Sequence, residues 1–354
     1  MSKYLRIAGG LALTGLFLWL ALRNVNLANV GAALRSARYG FLLPAALCSF
    51  TGYLVRTARW GRILGPTRRI PFHRLYPVLM AGFAANNLLP ARIGELARAY
   101  LLGGREGVSR SLALATIVVE RVCDGITLIA LMTLALVLFP LPVDDPKLHA
   151  VEVSATAIFG VATVALIGLL LFPLPVLALA RALARPLPRA VGGRIEALID
   201  SFLQGLTALR SPQALWRIAG LSVVIWLLEG GSYACVLKAF PFGLAPSEWL
   251  AAAVFLLVFV NLGIMIPAAP GYIGTYQFFA TLALGAFGVA ASAAFGLSVV
   301  SHALQYVLVT AIGLVCFWRL GLSPGRLGAL APAATAAGPE DAVAAPPATL
   351  EVAD

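Results

Sequence analysis

Apolar stretches of bilayer-spanning length recur along this chain, and two of them are broken by Asn, Pro and Gly, around residues 87–98 and 261–277. A helix needs roughly 20 apolar residues to cross a hydrocarbon core. In that core every backbone N–H and C=O must be satisfied within the protein, which leaves helices or closed barrels. The stretches here have helix length and no strand alternation, so the expected class is all-α integral membrane. Composition agrees: 60% of residues are hydrophobic and only 12% charged, against roughly 25% charged in a soluble domain. Such a chain cannot cover itself with polar groups, and lipid is its expected solvent.

Read along the chain, the spans fall at residues 5–22, 40–64, 75–89 continuing past Pro90 into 92–102, 109–139, 151–172, 214–240, 249–266 continuing past Pro267 and Pro270 into 271–287, and 290–320. This predicts about eight transmembrane helices, two of them Pro/Gly-broken and re-entrant-like. The first stretch follows Lys3 and Arg6 like a signal peptide, but no small-residue cleavage site follows, so it reads as a retained span. Residues 173–212 are punctuated by Pro and Arg, with helical spacing at Ile195, Leu198, Ile199, Phe202 and Leu206. That pattern predicts an amphipathic linker on the cytoplasmic membrane surface. Residues 321–354 are rich in Ala and Pro without periodicity and read as a disordered cytoplasmic tail.

The formal net charge is +11. Its arginines sit at the ends of apolar stretches, as orientation signals do, which argues against nucleic-acid binding. Arg56, Arg59, Arg62, Arg68, Arg69 and Arg74 after the second span, and Arg181, Arg185, Arg189, Arg194 and Arg210 after the fifth, predict cytoplasmic loops. Asp144, Asp145 and Glu152 predict an outer loop, and both termini then lie in the cytoplasm of a multi-pass inner (plasma) membrane protein. The loop 23–38, with three arginines, would face outward against the rule. Arg59-Trp60 reads most simply as an interface anchor.

The two broken segments align. Pro90 to Gly94 matches Pro270 to Gly274, Val108 to Glu120 matches Val289 to Ser301, and Arg121 to Asp124 matches His302 to Gln305. With the charge-derived orientation the copies are antiparallel, giving inverted halves of about 1–140 and 151–320. Paired broken helices in inverted repeats are a recurring transporter design, in which half-helix ends offer dipoles and free backbone groups to a substrate.

Ionisable groups inside the apolar segments cost roughly 2.5–3.5 kcal/mol each on insertion scales and default to functional readings. Arg92, Glu95 and Arg98 lie at helical spacing beside the first break, and Glu120, Arg121 and Asp124 interrupt the segment that follows. Two readings compete: an internal salt-bridge cluster, or a cationic cavity in which Arg92, Arg98 and Arg121 hold a phosphate while Glu95 and Asp124 orient them. Glu229 has no nearby partner in sequence; it either meets an Arg across the bundle or carries a coupling proton. The second break is neutral, with Asn261, Pro270, Gly271, Gly274 and Gln277, followed by His302 and Gln305. Four scattered cysteines and three scattered histidines predict neither a metal site nor a cofactor. Gly-x-Ser-x-Gly, Walker and His-Glu-x-x-His patterns are absent, so no catalytic residue is expected.

The run Asn86-Asn87-Leu88-Leu89-Pro90-Ala91-Arg92-Ile93-Gly94-Glu95-Leu96-Ala97-Arg98, with Glu120-Arg121-Val122-Cys123-Asp124 and Pro270-Gly271-Tyr272-Ile273-Gly274, resembles the lysylphosphatidylglycerol synthase/flippase transmembrane-domain family. The resemblance covers most of residues 5–320. It implies motif positions at Asn87, Pro90, Arg92, Gly94, Glu95, Arg98, Glu120, Arg121, Asp124, Pro270, Gly271 and Gly274. In two-domain members this domain is implicated in moving lysyl-phosphatidylglycerol between leaflets, and a separate soluble domain makes the lipid. No synthase follows the last span here, so the resemblance implies a stand-alone flippase-like member rather than lysyl-lipid synthesis. The expected function is translocation of an anionic phospholipid or another phosphate-bearing lipid. The alternatives are an intramembrane lipid-modifying transferase using Glu120 or Asp124 as base, and a non-transporting partner of a separate lipid synthase. Expected partners are membrane lipids with anionic headgroups; a synthase partner and self-association stay open.

Overall fold

The computed structural model describes residues 3–89, 93–138, 212–266 and 270–321, with isolated positions between 153 and 182. Everything regular among the described residues is helical. In chain order the helices are α1 (Lys3–Leu22), α2 (Leu27–Ser36), α3 (Leu42–Leu64), α4 (Phe72–Leu88), α5 (Gly94–Glu106), α6 (Arg110–Leu138), α7 (Pro212–Ala239), α8 (Pro246–Gly263), α9 (Thr275–Gly285) and α10 (Ala291–Arg319). Among the described residues five helices are long and apolar enough to cross a membrane, or six if α1 and α2, bent by 78°, form one broken span. The expected span 151–172 and the expected linker and tail fall almost wholly outside the described residues.

Two local expectations change. The segment read as a 23–38 loop contains α2, ten residues long and capped by Asn26, whose side chain accepts from the Ala28 N–H at 2.9 Å. Arg59 and Trp60 are not an interface anchor: both are fully buried inside the bundle. Their side chains face α6 rather than the lipid boundary, because a polar partner there outweighs access to the interface.

Both broken segments fold as helical hairpins, and the first is built from helices too short to span. α4 and α5 are only 17 and 13 residues long, or about 26 and 20 Å at 1.5 Å per residue, each shorter than a ~30 Å core. They run antiparallel, because Arg74 at the start of α4 pairs with Glu106 at the end of α5 at 3.6 Å, while Gly82 meets Gly94 and Arg98 nearer the tip. The Asn86 side chain accepts from the Gly94 N–H at 2.8 Å and so caps α5. A methyl group on Gly94 would overlap the Gly82 carbonyl, so this close approach of backbones needs glycine. In the second half Gly263 abuts Phe279 and Phe255 packs edge-on against Phe287, which makes α8 and α9 antiparallel as well. There the Gln277 side chain caps α9 by accepting from the Gly274 N–H at 2.7 Å.

Each hairpin is followed by a left-handed glycine, Gly107 or Gly288, and then by a helix of 29 residues, α6 or α10. The equivalence extends to the packing. α4 lies on α10 as α8 lies on α6, α3 on α4 as α7 on α8, and α5 on α6 as α9 on α10. The equivalent helices α3 and α7 pack on each other, Ser49 against Ser232, Gly52 against Leu228, Arg56 against Trp226 and Arg59 against Ser222. Numbers rise along one helix as they fall along the other, so the helices are antiparallel and the two units are inverted copies. The first hairpin enters from the end of the bundle where α3 stops and α7 starts, and the second from the opposite end. Their tips meet: the turn Pro270–Tyr272 packs against α4, with Gly271 beside the Asn87 carbonyl. The Asn87 amide also donates to Thr310 of α10 at 3.0 Å.

Candidate functional site

Beside the first hairpin, α3, α5 and α6 bring seven ionisable side chains together in a largely buried cluster, against which α7 sets Ser222 and Trp226. Asp124 of α6 is its hub, only 4% exposed. Arg59 Nη1 donates to Asp124 Oδ1 and to Ser222 Oγ, both at 2.8 Å. Trp226 Nε1 donates to the same carboxylate at 3.2 Å, while Arg56 and Arg121 approach its second oxygen at 3.4 Å. Glu120, one turn earlier on α6, accepts from Arg98 Nη2 at 2.7 Å and lies 3.9 Å from Arg59 Nη2. The Arg98 guanidinium stacks on the Trp60 ring at 4.1 Å, and Trp60 donates to Thr116 at 3.1 Å. Arg121 reaches outward to Glu95 at 3.9 Å, and these two side chains are each 30% exposed.

Helical spacing explains the arrangement. Arg56, Arg59 and Trp60 share one face of α3, and Glu120 and Asp124 share one face of α6. Charges taken from water are tolerated when paired and fully hydrogen-bonded. Here four guanidinium groups face three carboxylates. Arg59 Nε and Nη2, Arg98 Nε and Arg121 Nε have no hydrogen-bond acceptor among the described residues. The cluster therefore carries a cationic excess and donors with unfilled capacity, the character that suits an added anion with several oxygens.

The inverted half repeats this layout without the guanidinium groups. Gln305, aligned with Asp124, also points at the α3–α7 pair: its amide donates to Ser49 Oγ at 2.8 Å and to Glu229 Oε1 at 3.0 Å. Ser49 in turn donates to Ser232 at 2.9 Å. His302, aligned with Arg121, stacks on Tyr276 with ring centroids 4.4 Å apart and bonds Gln277 at 2.9 Å. Ser301, aligned with Glu120, shares a 2.8 Å hydrogen bond with Tyr276.

Of the residues singled out in sequence, Glu95, Arg98, Glu120, Arg121 and Asp124 converge in the charged cluster, and Gln277, His302, Gln305 and Glu229 lie in its counterpart in the second half. Asn87, Gly94, Gly271 and Gly274 shape the hairpin tips, and Asn261 turns back to its own helix, donating to the Leu257 carbonyl at 2.8 Å. Pro90 and Arg92 lie outside the described residues. Glu95 meets Arg121 of α6, and Arg98 pairs with Glu120. Among the described residues Glu229 meets the neutral Gln305 amide and no cation within 4 Å.

Arg56, Arg59, Trp60 and Trp226 were missed as site residues. The signal was present: the arginines lie inside the span 40–64 at i, i+3 spacing, not in the loop after it.

Comparison with known proteins agrees with this construction. The family described as the lysylphosphatidylglycerol synthase TM region matches residues 7–313. A glycosyltransferase, AglD of Haloferax volcanii, is 27% identical over 344 residues, 88% of this chain but 54% of that protein, so the chain spans about half the length of this relative. UPF0104 membrane proteins match more of their own length: that of Methanothermobacter thermautotrophicus is 26% identical over 82% of this chain and 88% of its own, and that of Methanocaldococcus jannaschii is 24% identical over 66% and 92%. A match covering both inverted units and the charged cluster makes this integral membrane protein a member of the lysylphosphatidylglycerol synthase transmembrane-region family.

Proposed function

We propose that the protein moves a phosphate-bearing anionic lipid between the leaflets of the plasma membrane, as a transporter without enzymatic activity. The observation that carries this reading is the cationic cluster, with unfilled guanidinium donors, beside two hairpin tips of opposite origin. Inverted hairpins that meet at a site give a transporter two similar half-structures to rock against each other. Arg121, partly exposed and loosely held by Glu95, is the arm that reaches the headgroup phosphate. Arg59 and Arg98, locked by Asp124, Glu120 and Trp60, set the field rather than move. Acyl chains stay in lipid throughout, so only the headgroup needs a polar path.

Glu229 is the candidate coupling group. It lies one turn from Trp226 on α7, whose ring carries the Arg56 guanidinium at 4.9 Å. An ionised Glu229 offsets the cationic excess, and a protonated one leaves it for the lipid. Headgroup loading and proton loading then favour each other. In line with the arginine-rich end, α3 stops and α7 starts on the cytoplasmic side, where α10 also ends.

A lipid-modifying transferase, suggested by the name of the Haloferax relative, needs a free carboxylate as base. Glu120 and Asp124 are both engaged by guanidinium groups, which favours transport. The test is reconstitution with fluorescent phosphatidylglycerol and an external quencher. Wild-type protein should speed exchange between leaflets, and Arg121→Gln should lower the rate about tenfold, the worth of one charge-assisted hydrogen bond. If no labelled phospholipid or polyprenyl phosphate moves, with or without a proton gradient, the proposal fails.

A further inference from the structure

A second cationic site lies at the end of the bundle where α3 stops and α4 and α7 begin. A cleft of about 660 Å³ opens there, lined on its polar side by Arg62, Arg69 and Arg217. All three arginines are exposed, and among the described residues none makes an ion pair and no acidic residue lines the cleft. The floor is apolar, built from Ile70, Leu75 and Ile218. Phe72 at the rim is 45% exposed, and Trp216, next to Arg217, is 76% exposed.

Orientation signals alone do not produce this arrangement. Arg62 and Arg69 come from the end of α3 and the loop after it, and Arg217 from the distant α7, yet they surround one concavity. An apolar floor beneath converging guanidinium groups suits an amphiphile, not a small ion. Basic pockets between transmembrane helices at the arginine-rich face are where lipid headgroups bind. The exposed Trp216 beside it is of the type that favours the headgroup level of a bilayer.

We propose that this cleft binds the phosphate-bearing headgroup of an anionic lipid from the leaflet at that face. It is separate from the buried cluster but connected to it. Thr57 and Ala58 line the cleft, while Arg56, Arg59 and Trp60 of the same helix face the cluster. On α7, Ile218 lines the cleft and its carbonyl accepts from Ser222, which holds Arg59. A lipid seated here waits one helical turn from the buried charges. The binding site itself does not rest on the transport reading.

The test is native mass spectrometry of the full chain, released from bilayers of phosphatidylcholine mixed with phosphatidylglycerol. Wild-type protein should retain phosphatidylglycerol in preference. Arg62→Gln, Arg69→Gln and Arg217→Gln together should lower its affinity about a hundredfold, at about fivefold per arginine. The control pair Arg35→Gln and Arg319→Gln, exposed arginines outside the cleft, should leave retention unchanged. All side chains altered are exposed, so thermal unfolding in detergent should match wild type and exclude misfolding. Equal retention by the triple variant, an equal loss in the control pair, or displacement of the lipid by inorganic phosphate alone would each overturn the proposal. Retention without transport would leave this site standing and sink the flippase reading.

Discussion

At the scale of single residues, the cluster separates side chains that hold the bundle from side chains free to act. Arg59 is fully buried and is the closest cation to Asp124. Its replacement by Ala leaves Asp124 only the longer contacts from Arg56, Arg121 and Trp226, and thermal unfolding in detergent should show a loss of about 1–3 kcal/mol. Arg121→Gln removes a partly exposed arm from an Asp124 that keeps Arg59, so it should lower transport with under about 1 kcal/mol lost, as for loosely held pairs. Glu229 belongs with the second kind. Glu229→Gln keeps the hydrogen bond to Gln305 but removes the carboxylate. Transport by this variant should become insensitive to an imposed proton gradient; an unchanged gradient response would exclude Glu229 as the coupling group.

Among elements, the hairpins are where sequence and structure agree best, because Pro, Gly and Asn are punctuation with a local mechanism. Asn86 and Gln277 cap α5 and α9 through equivalent side-chain bonds, although one lies before its break and the other after it. Gly94→Ala should cost about 1–3 kcal/mol by overpacking the α4–α5 crossing, read as a lower unfolding temperature. Equal stability would mean that the hairpin spreads readily. α2 was the element least visible in advance. Its ten residues are amphipathic and carry Arg35, which resembles a loop by composition; the Asn26 cap and Val30, Ala33 and Leu34 at helical spacing were the readable signs.

For the whole molecule, inversion has a consequence that labelling can check. The ends of α3 and α10 and the start of α7 lie at one end of the bundle, and the α7–α8 connection lies at the other. In a cysteine-free background, single cysteines at positions 68 and 319 should react with an impermeant maleimide only from the cytoplasmic side, and one at position 243 only from outside. Reaction of all three from one side would contradict the inverted arrangement in the membrane. The spacing of Pro, Gly and polar residues made the repeat legible, since equivalent units need breaks at equivalent places.

By itself the sequence determined what depends on local chemistry: a helical chain in lipid, two interrupted spans, and charge gathered in one half. Hydropathy and punctuation act over a few turns, and a linear reading reaches that far. Only the tertiary structure decided which charges meet. Arg56 and Arg59 read as loop and boundary residues until the antiparallel packing of α3 on α7 turned them toward Asp124. Pairing across the bundle is set by helix rotation and crossing, which depend on every packed neighbour. The same rotation placed Gln305 against Glu229 and left the two halves alike in shape but different in character, guanidinium groups gathering in one and amide and hydroxyl groups around a single carboxylate in the other.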